Sequence, residues 1–95
     1  VKARYDQAEA DLRRALKADE TNPEVQMQLG VVLMRQARLR ESVEHLERAT
    51  RLQPDMASAH YYLGEVYNRL DALPMALASL ETAASLQPSN WRAYK

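Results

Sequence analysis

Cysteine and phenylalanine are absent from this chain of 95 residues, and glycine occurs only twice. Each scarcity closes a class of function. Without a thiol there is no disulfide framework and no cysteine chemistry, and the cytoplasm and the periplasm both stay open as compartments. Gly30 and Gly64 stand alone, so there is no glycine-rich loop to cradle a phosphate. No apolar run approaches the roughly 20 residues that a membrane-spanning helix needs. The two histidines, His45 and His60, have no HExxH context and lie on different helices by the reading below, so no metal site and no cofactor is expected. Nor do convergent polar groups at catalytic spacings occur, which points away from an enzyme.

Charge of one sign is missing as well. Thirteen basic residues balance thirteen acidic ones, and the balance holds locally: five of each over 1–22, five over 23–56 and three over 57–95. A nucleic-acid binder needs a basic excess to neutralise phosphates, so nucleic acid is not an expected partner. The one local concentration is Arg35, Arg38 and Arg40. It reads either as a solvated turn paired with Glu41 and Glu44 or as a contact for a phosphate or an acidic partner.

What the chain does have is internal repetition. Leu29, Gly30, Ser42, Leu46, Ala49 and Pro54 match Leu63, Gly64, Ala76, Leu80, Ala83 and Pro88, each pair 34 residues apart. One period back, Ala8, Leu12 and Ala15 fall under Ser42, Leu46 and Ala49; one period on, Tyr94 falls under His60. A short fixed period means stacked units that share a continuous core.

Hydrophobic spacing assigns helices within each unit. From Val25 to Met34 apolar residues occur at 25, 27, 29, 31, 32, 33 and 34, a helix apolar nearly all round and therefore buried on several sides. From Glu41 to Leu52 they fall at 43, 46, 49 and 52 with Glu44, Glu47, Arg48 and Arg51 mostly opposite, a helix with an exposed back. The same contrast between an inner and an outer helix recurs over 58–70 and 75–86. Asn22-Pro23-Glu24 reads as an N-cap, a proline in the first turn and an acid favourable to the helix dipole. Asp55 and Ser89 are expected caps, Pro54 and Pro88 expected stops, and Pro74 fits a first turn. Predicted helices are 6–19, 24–36, 40–53, 58–70 and 74–87. Gly30 and Gly64 lie inside helices, at a cost of roughly 1 kcal/mol each relative to Ala, so a close approach near Ser42 and Ala76 is expected.

These motifs resemble the tetratricopeptide repeat: the Leu-Gly pair, Leu33 or Tyr67 three beyond it, the small Ser42 or Ala76, then Leu46 or Leu80, Ala49 or Ala83, and the closing proline. The resemblance covers the whole chain as one domain: the second half of a repeat at 1–22, full repeats at 23–56 and 57–90, and the start of a further repeat or capping helix at 91–95. It implies an all-α, right-handed solenoid of antiparallel helix pairs. The chain departs from the family in places. Gln26 and His60 stand where the family has an aromatic residue, and a packed or partly buried ring is expected of His60. Ala37 and Asp71 stand where glycine often makes the turn, and Asp tolerates a left-handed backbone better than Ala. Glu20 replaces the stop proline, so the first helix is expected to run on or fray.

Subtracting the packing residues leaves one stripe on each inner helix. Glu24, Met27, Gln28, Val31, Met34 and Arg35 share a face by three-and-four spacing, and Ser58, Tyr61, Tyr62, Glu65, Asn68 and Arg69 occupy the equivalent places. The resemblance implies that these stripes line a concave groove for a peptide or protein segment. Met, Tyr and Arg suit a binding surface. The bland alternative is that Met27, Val31, Tyr61 and Tyr62 complete packing between repeats. Some relatives clamp acidic chaperone tails with Lys and Asn, but here the matching places hold Met27, Val31, Tyr62 and Arg92, which disfavours that ligand. The resemblance thus implies a non-catalytic interaction scaffold; the alternatives are a self-assembly module or a scaffold or regulatory segment of a larger enzyme. Glu41 and His45 share a face, read as a surface pair. Tyr5, Ala8, Leu12, Ala15 and Leu16 at one end, and Trp91 and Tyr94 at the other, are expected to leave apolar edges through which copies associate. Leu46 and Leu80 are expected to be equivalent core positions.

Overall fold

The computed structural model describes residues 2–86, and these form five helices: α1 Lys2–Ala18, α2 Pro23–Arg35, α3 Leu39–Leu52, α4 Ala57–Arg69 and α5 Leu73–Leu86. Four lie within a residue or so of the predicted bounds, and α1 starts four residues earlier because nothing in residues 2–8 breaks a helix. The expectations placed on Pro88, Ser89, Trp91, Arg92 and Tyr94 lie outside the described residues.

Antiparallel pairing of α2 and α3 follows from their contacts. Gln26 meets His45, while Gly30, one turn further along α2, meets Ser42, one turn earlier on α3. The reversal is made by a tight Schellman turn. Arg38 N donates to Leu33 O at 2.9 Å and Ala37 N to Met34 O at 2.9 Å, which drives Ala37 to φ 65°. Ala72 N to Tyr67 O and Asp71 N to Asn68 O repeat the pattern, with Asp71 at φ 62°. Both positions adopt the left-handed backbone that glycine favours, although neither is glycine.

Caps divide in the same residue-specific way. Asn22 Oδ1 accepts from Val25 N at 3.2 Å, as its sequence context predicts. Asp55 does not cap α4. The N-cap is Met56, without a side-chain cap bond, because its side chain is 8% exposed and packs in the core, leaving Asp55 one residue too early. Nor does α1 run on: Asp19 Oδ1 accepts from Thr21 N and Thr21 Oγ1 at 3.0 and 2.7 Å, a local turn that competes with the helix and ends it at Ala18. Those two bonds hold the Asp19 carboxyl below its usual pKa.

Two buried clusters hold the stack. Leu16, Leu29 and Leu33 pack together between α1 and α2, so Leu16 is a buried contact and not part of an open edge. Met27, Met34, Leu46, Ala49, Leu63, Val66 and Ala76 are among the residues of the larger cluster, which runs across α2, α3, α4 and α5. Ser42 is fully buried and its Oγ donates to Gly30 O at 2.6 Å, satisfying the hydroxyl where the two backbones approach. Leu80 is not the equal of Leu46: it is 37% exposed against 0%, because among the described residues no helix covers α5 as α4 covers α3.

Gln26 and His60, the substitutes for an aromatic ring, share one task. Gln26 Nε2 donates to Glu20 O at 3.2 Å and half-buried His60 Nε2 donates to Pro54 O at 2.9 Å, each reaching back six residues to the chain segment before its own helix.

Candidate functional site

Three helices meet around a cleft of about 470 Å³. Ala8, Asp11 and Leu12 of α1 form one side, Met27, Gln28, Val31 and Val32 of α2 the floor and opposite side, and Tyr62 of α4 closes it. The inner helices touch directly here, where Ser58 Oγ donates to Met27 Sδ at 3.1 Å. Tyr61 and Tyr62 meet edge to face, ring centroids 5.4 Å apart, and Tyr61 OH donates to Glu65 Oε2 at 3.3 Å. Such contacts fix the rings before any ligand arrives, lowering the ordering cost of binding.

Of the two sequence stripes, Met27, Gln28, Val31 and Tyr62 converge on this cleft. Tyr61 and Glu65 stand half-buried beside it on α4; Glu24, Arg35, Ser58, Asn68 and Arg69 are exposed and do not line it. Met34 belongs to neither group. It is 1% exposed inside the main cluster, because its turn of α2 faces the junction with α3 and α4, and so it is removed from the groove. Ala8, Asp11, Leu12 and Val32 are the lining residues that the stripes leave out. Ala8 and Leu12 belong to the apolar edge expected of the first helix, and both are half-buried because α1 is covered by α2 alone among the described helices.

The cleft is apolar in chemistry. Among the described residues Asp11 is its only charged lining residue, and that carboxylate is held by Gln7 Nε2 at 3.2 Å and Arg14 at 3.5 Å. At three of the four places where a carboxylate clamp would need cations or amides, the side chains are Met27, Val31 and Tyr62; the fourth, Arg92, lies outside the described residues.

Charges instead gather at the α1–α3 edge. Arg38 binds Glu9 and Glu41, both at 2.8 Å, and Arg13 binds Glu9 at 2.9 Å. The paired-turn reading therefore holds for Arg38, with Glu9 of α1 added, whereas Arg35 and Arg40 make no ion pair among the described residues. Burial pushes the Glu9 carboxyl up, and hydrogen bonds from Arg13, Arg38 and Gln36 outweigh it, so its pKa ends below the usual value. Tyr67 OH donates to Glu47 Oε2 at 2.5 Å; burial first, and that acceptor second, push the phenol well above its usual range. His45 does not pair with Glu41. Its Nδ1 donates to Gln26 Oε1 at 2.9 Å, since the Gln26 amide nitrogen is already committed to Glu20 O. Among the described residues no three His, Asp or Glu side chains gather to hold a metal ion, and no helix is long and apolar enough to cross a membrane.

Comparison with known proteins agrees with this architecture. The tetratricopeptide repeat family model matches residues 2–39 and 27–90, and the chain belongs to that family. The chloroplastic tetratricopeptide repeat domain-containing protein PYG7 of Arabidopsis thaliana is 32% identical over 72 residues. That match covers 76% of this chain and 24% of PYG7, so the chain spans only a fraction of that relative. Among solved structures YrrB, a tetratricopeptide repeat protein with an unusual peptide-binding site, aligns with a TM-score of 0.84 and 28% identity over 90% of this chain and 44% of its own. The first such domain of Spaghetti (RPAP3), bound to the HSP90 peptide SRMEEVD, aligns with a TM-score of 0.90 over 97% of this chain and 73% of its own. Its 22% identity speaks to the fold alone. The family is one of generally non-catalytic protein-interaction modules.

Proposed function

We propose that this chain is a non-catalytic interaction scaffold that seats a peptide segment of a protein partner in the cleft between α1, α2 and α4. The observation that carries the reading is the cleft itself, about 470 Å³, formed by three helices and lined by apolar and aromatic side chains with one committed carboxylate. Leu12, Met27, Val31 and Tyr62 would hold an apolar side chain of the peptide, and Gln28 would fix its backbone. Exposed Glu24, Arg35, Ser58, Asn68 and Arg69, with Tyr61 and Glu65, extend the surface along the inner helices and set which flanking residues are preferred. YrrB, at 28% identity, supports the reading because it has a peptide-binding site. Division into repeats at 1–22, 23–56, 57–90 and 91–95 fits the same scheme, in which neighbouring units share one groove.

Selection of displayed peptides on the chain, followed by affinity measurement on Tyr62→Ala and Val31→Asp variants of unchanged helical content, tests this. Selected peptides with an apolar anchor should bind these variants at least about tenfold more weakly. Equal binding to both variants would place the site elsewhere.

A second reading, self-association, is favoured by α5. Leu73 and Leu77, one turn apart on the same face of that helix, are 57% and 60% exposed, an apolar surface of the kind that marks an interaction site. A monomeric mass by light scattering at all concentrations would remove it.

A further inference from the structure

A second cleft, of about 390 Å³, lies between the outer helices α1 and α3. Leu16 and Gln26, both buried, form its inner surface, and Arg13, Lys17 and Arg48 surround it with Glu20. The 34-residue period builds the same cleft again between α3 and α5, about 410 Å³ in volume. There Glu47 replaces Arg13, Thr82 replaces Arg48, and among the described residues only Arg51, the counterpart of Lys17, is a basic side chain of fixed charge.

The comparison separates geometry from charge. Helix packing makes the cleft whichever residues line it, so folding does not require three cations in the first copy. Glu20 is the one acid that lines the cleft with them among the described residues, so a carboxylate ligand would be attracted to those cations that are not already paired. Arg13 is already shared with Glu9 and Glu41, at 2.9 and 3.7 Å. Lys17 and Arg48 are exposed and make no ion pair among the described residues. At His45 beside the cleft, burial and then the charges of Arg13 and Arg48 lower the pKa, while Glu44 and Glu41 act in the opposite sense.

We infer that the α1–α3 cleft binds an acidic peptide segment of a protein partner, with Lys17 and Arg48 receiving its carboxylates and Leu16 contacting the methylene stems. A peptide fits better than a nucleic acid. Lys17 and Arg48 flank a single open cleft and do not form a basic track, and the chain has no basic excess to neutralise a run of phosphates. This site is distinct from the apolar cleft proposed above and does not depend on it.

Fluorescence anisotropy with a labelled hexaglutamate peptide tests the inference on the chain as it stands. Wild type should bind with an affinity that falls as salt rises, and the Lys17→Glu/Arg48→Glu double variant should bind about tenfold more weakly. Arg4→Glu/Arg40→Glu, which changes net charge equally at exposed positions away from the cleft, should bind as wild type. Circular dichroism confirms that each variant is folded, and Lys17→Gln/Arg48→Gln serves if charge reversal unfolds the chain. No binding by wild type, or equal losses in the two double variants, would overturn the inference. Tighter, Lys17- and Arg48-dependent binding of a uridine hexanucleotide would overturn it too, by assigning the cleft to nucleic acid.

Discussion

A Cβ added to Gly30 would lie 2.6 Å from Leu46 Cγ, and the same distance separates an added Gly64 Cβ from Leu80 Cγ. The two glycines thus serve one purpose, letting each inner helix press against its outer partner. Their surroundings differ, since Leu46 is 0% exposed and Leu80 is 37% exposed. Leu46 has nowhere to turn. Gly30→Ala should therefore destabilise the fold by about 1–2 kcal/mol, overpacking outweighing the gain in helix propensity. Gly64→Ala should be near neutral because Leu80 can rotate toward solvent. Urea midpoints of the two variants check this, and equal losses would contradict it.

Truncation of the leucines should show the same asymmetry. Leu46→Ala removes a fully buried side chain and should cost about 2–5 kcal/mol. Leu80→Ala should cost about 1–2 kcal/mol, in keeping with its partial exposure. Chemical denaturation of both variants measures the difference.

Ala37 holds φ 65° with a Cβ that disfavours that conformation. Ala37→Gly should stabilise the chain by about 0.5–1 kcal/mol, and Asp71→Gly by less, because Asp tolerates the left-handed region better. Paired thermal melts decide it, and no gain from Ala37→Gly would show that the turn carries little strain.

Acid should act through Glu9. Its folded-state pKa is depressed from 4.5, so the folded form holds fewer protons there than the unfolded form in this range. Its contribution is therefore complete above that ordinary value and is lost as the pH falls through the lower, folded one. Wild type should exceed Glu9→Gln in urea midpoint at about pH 7, and the gap should narrow as the pH falls below the ordinary carboxylate range. A gap independent of pH would mean that packing, not charge, accounts for the loss.

The sequence alone determined the helices, their pairing and the places of close approach. Those features depend on local causes: the apolar spacing of residues 25–34, the Asn22-Pro23 cap, and a 34-residue step that aligns Gly30 with Gly64. Tertiary structure decided burial and company. Met34 and Met27 read alike in sequence and both join the main buried cluster, yet only Met27 also reaches the cleft, where α1 and Tyr62 of α4 meet its turn of α2. Leu46 and Leu80 occupy the same repeat position but differ in what covers them. Arg48 is far from Arg13 and Lys17 in sequence and all three are exposed, and only the packing of the helices brings them to one cleft. Spacing along one helix says which residues share a face; only packing of the next helix says what that face touches.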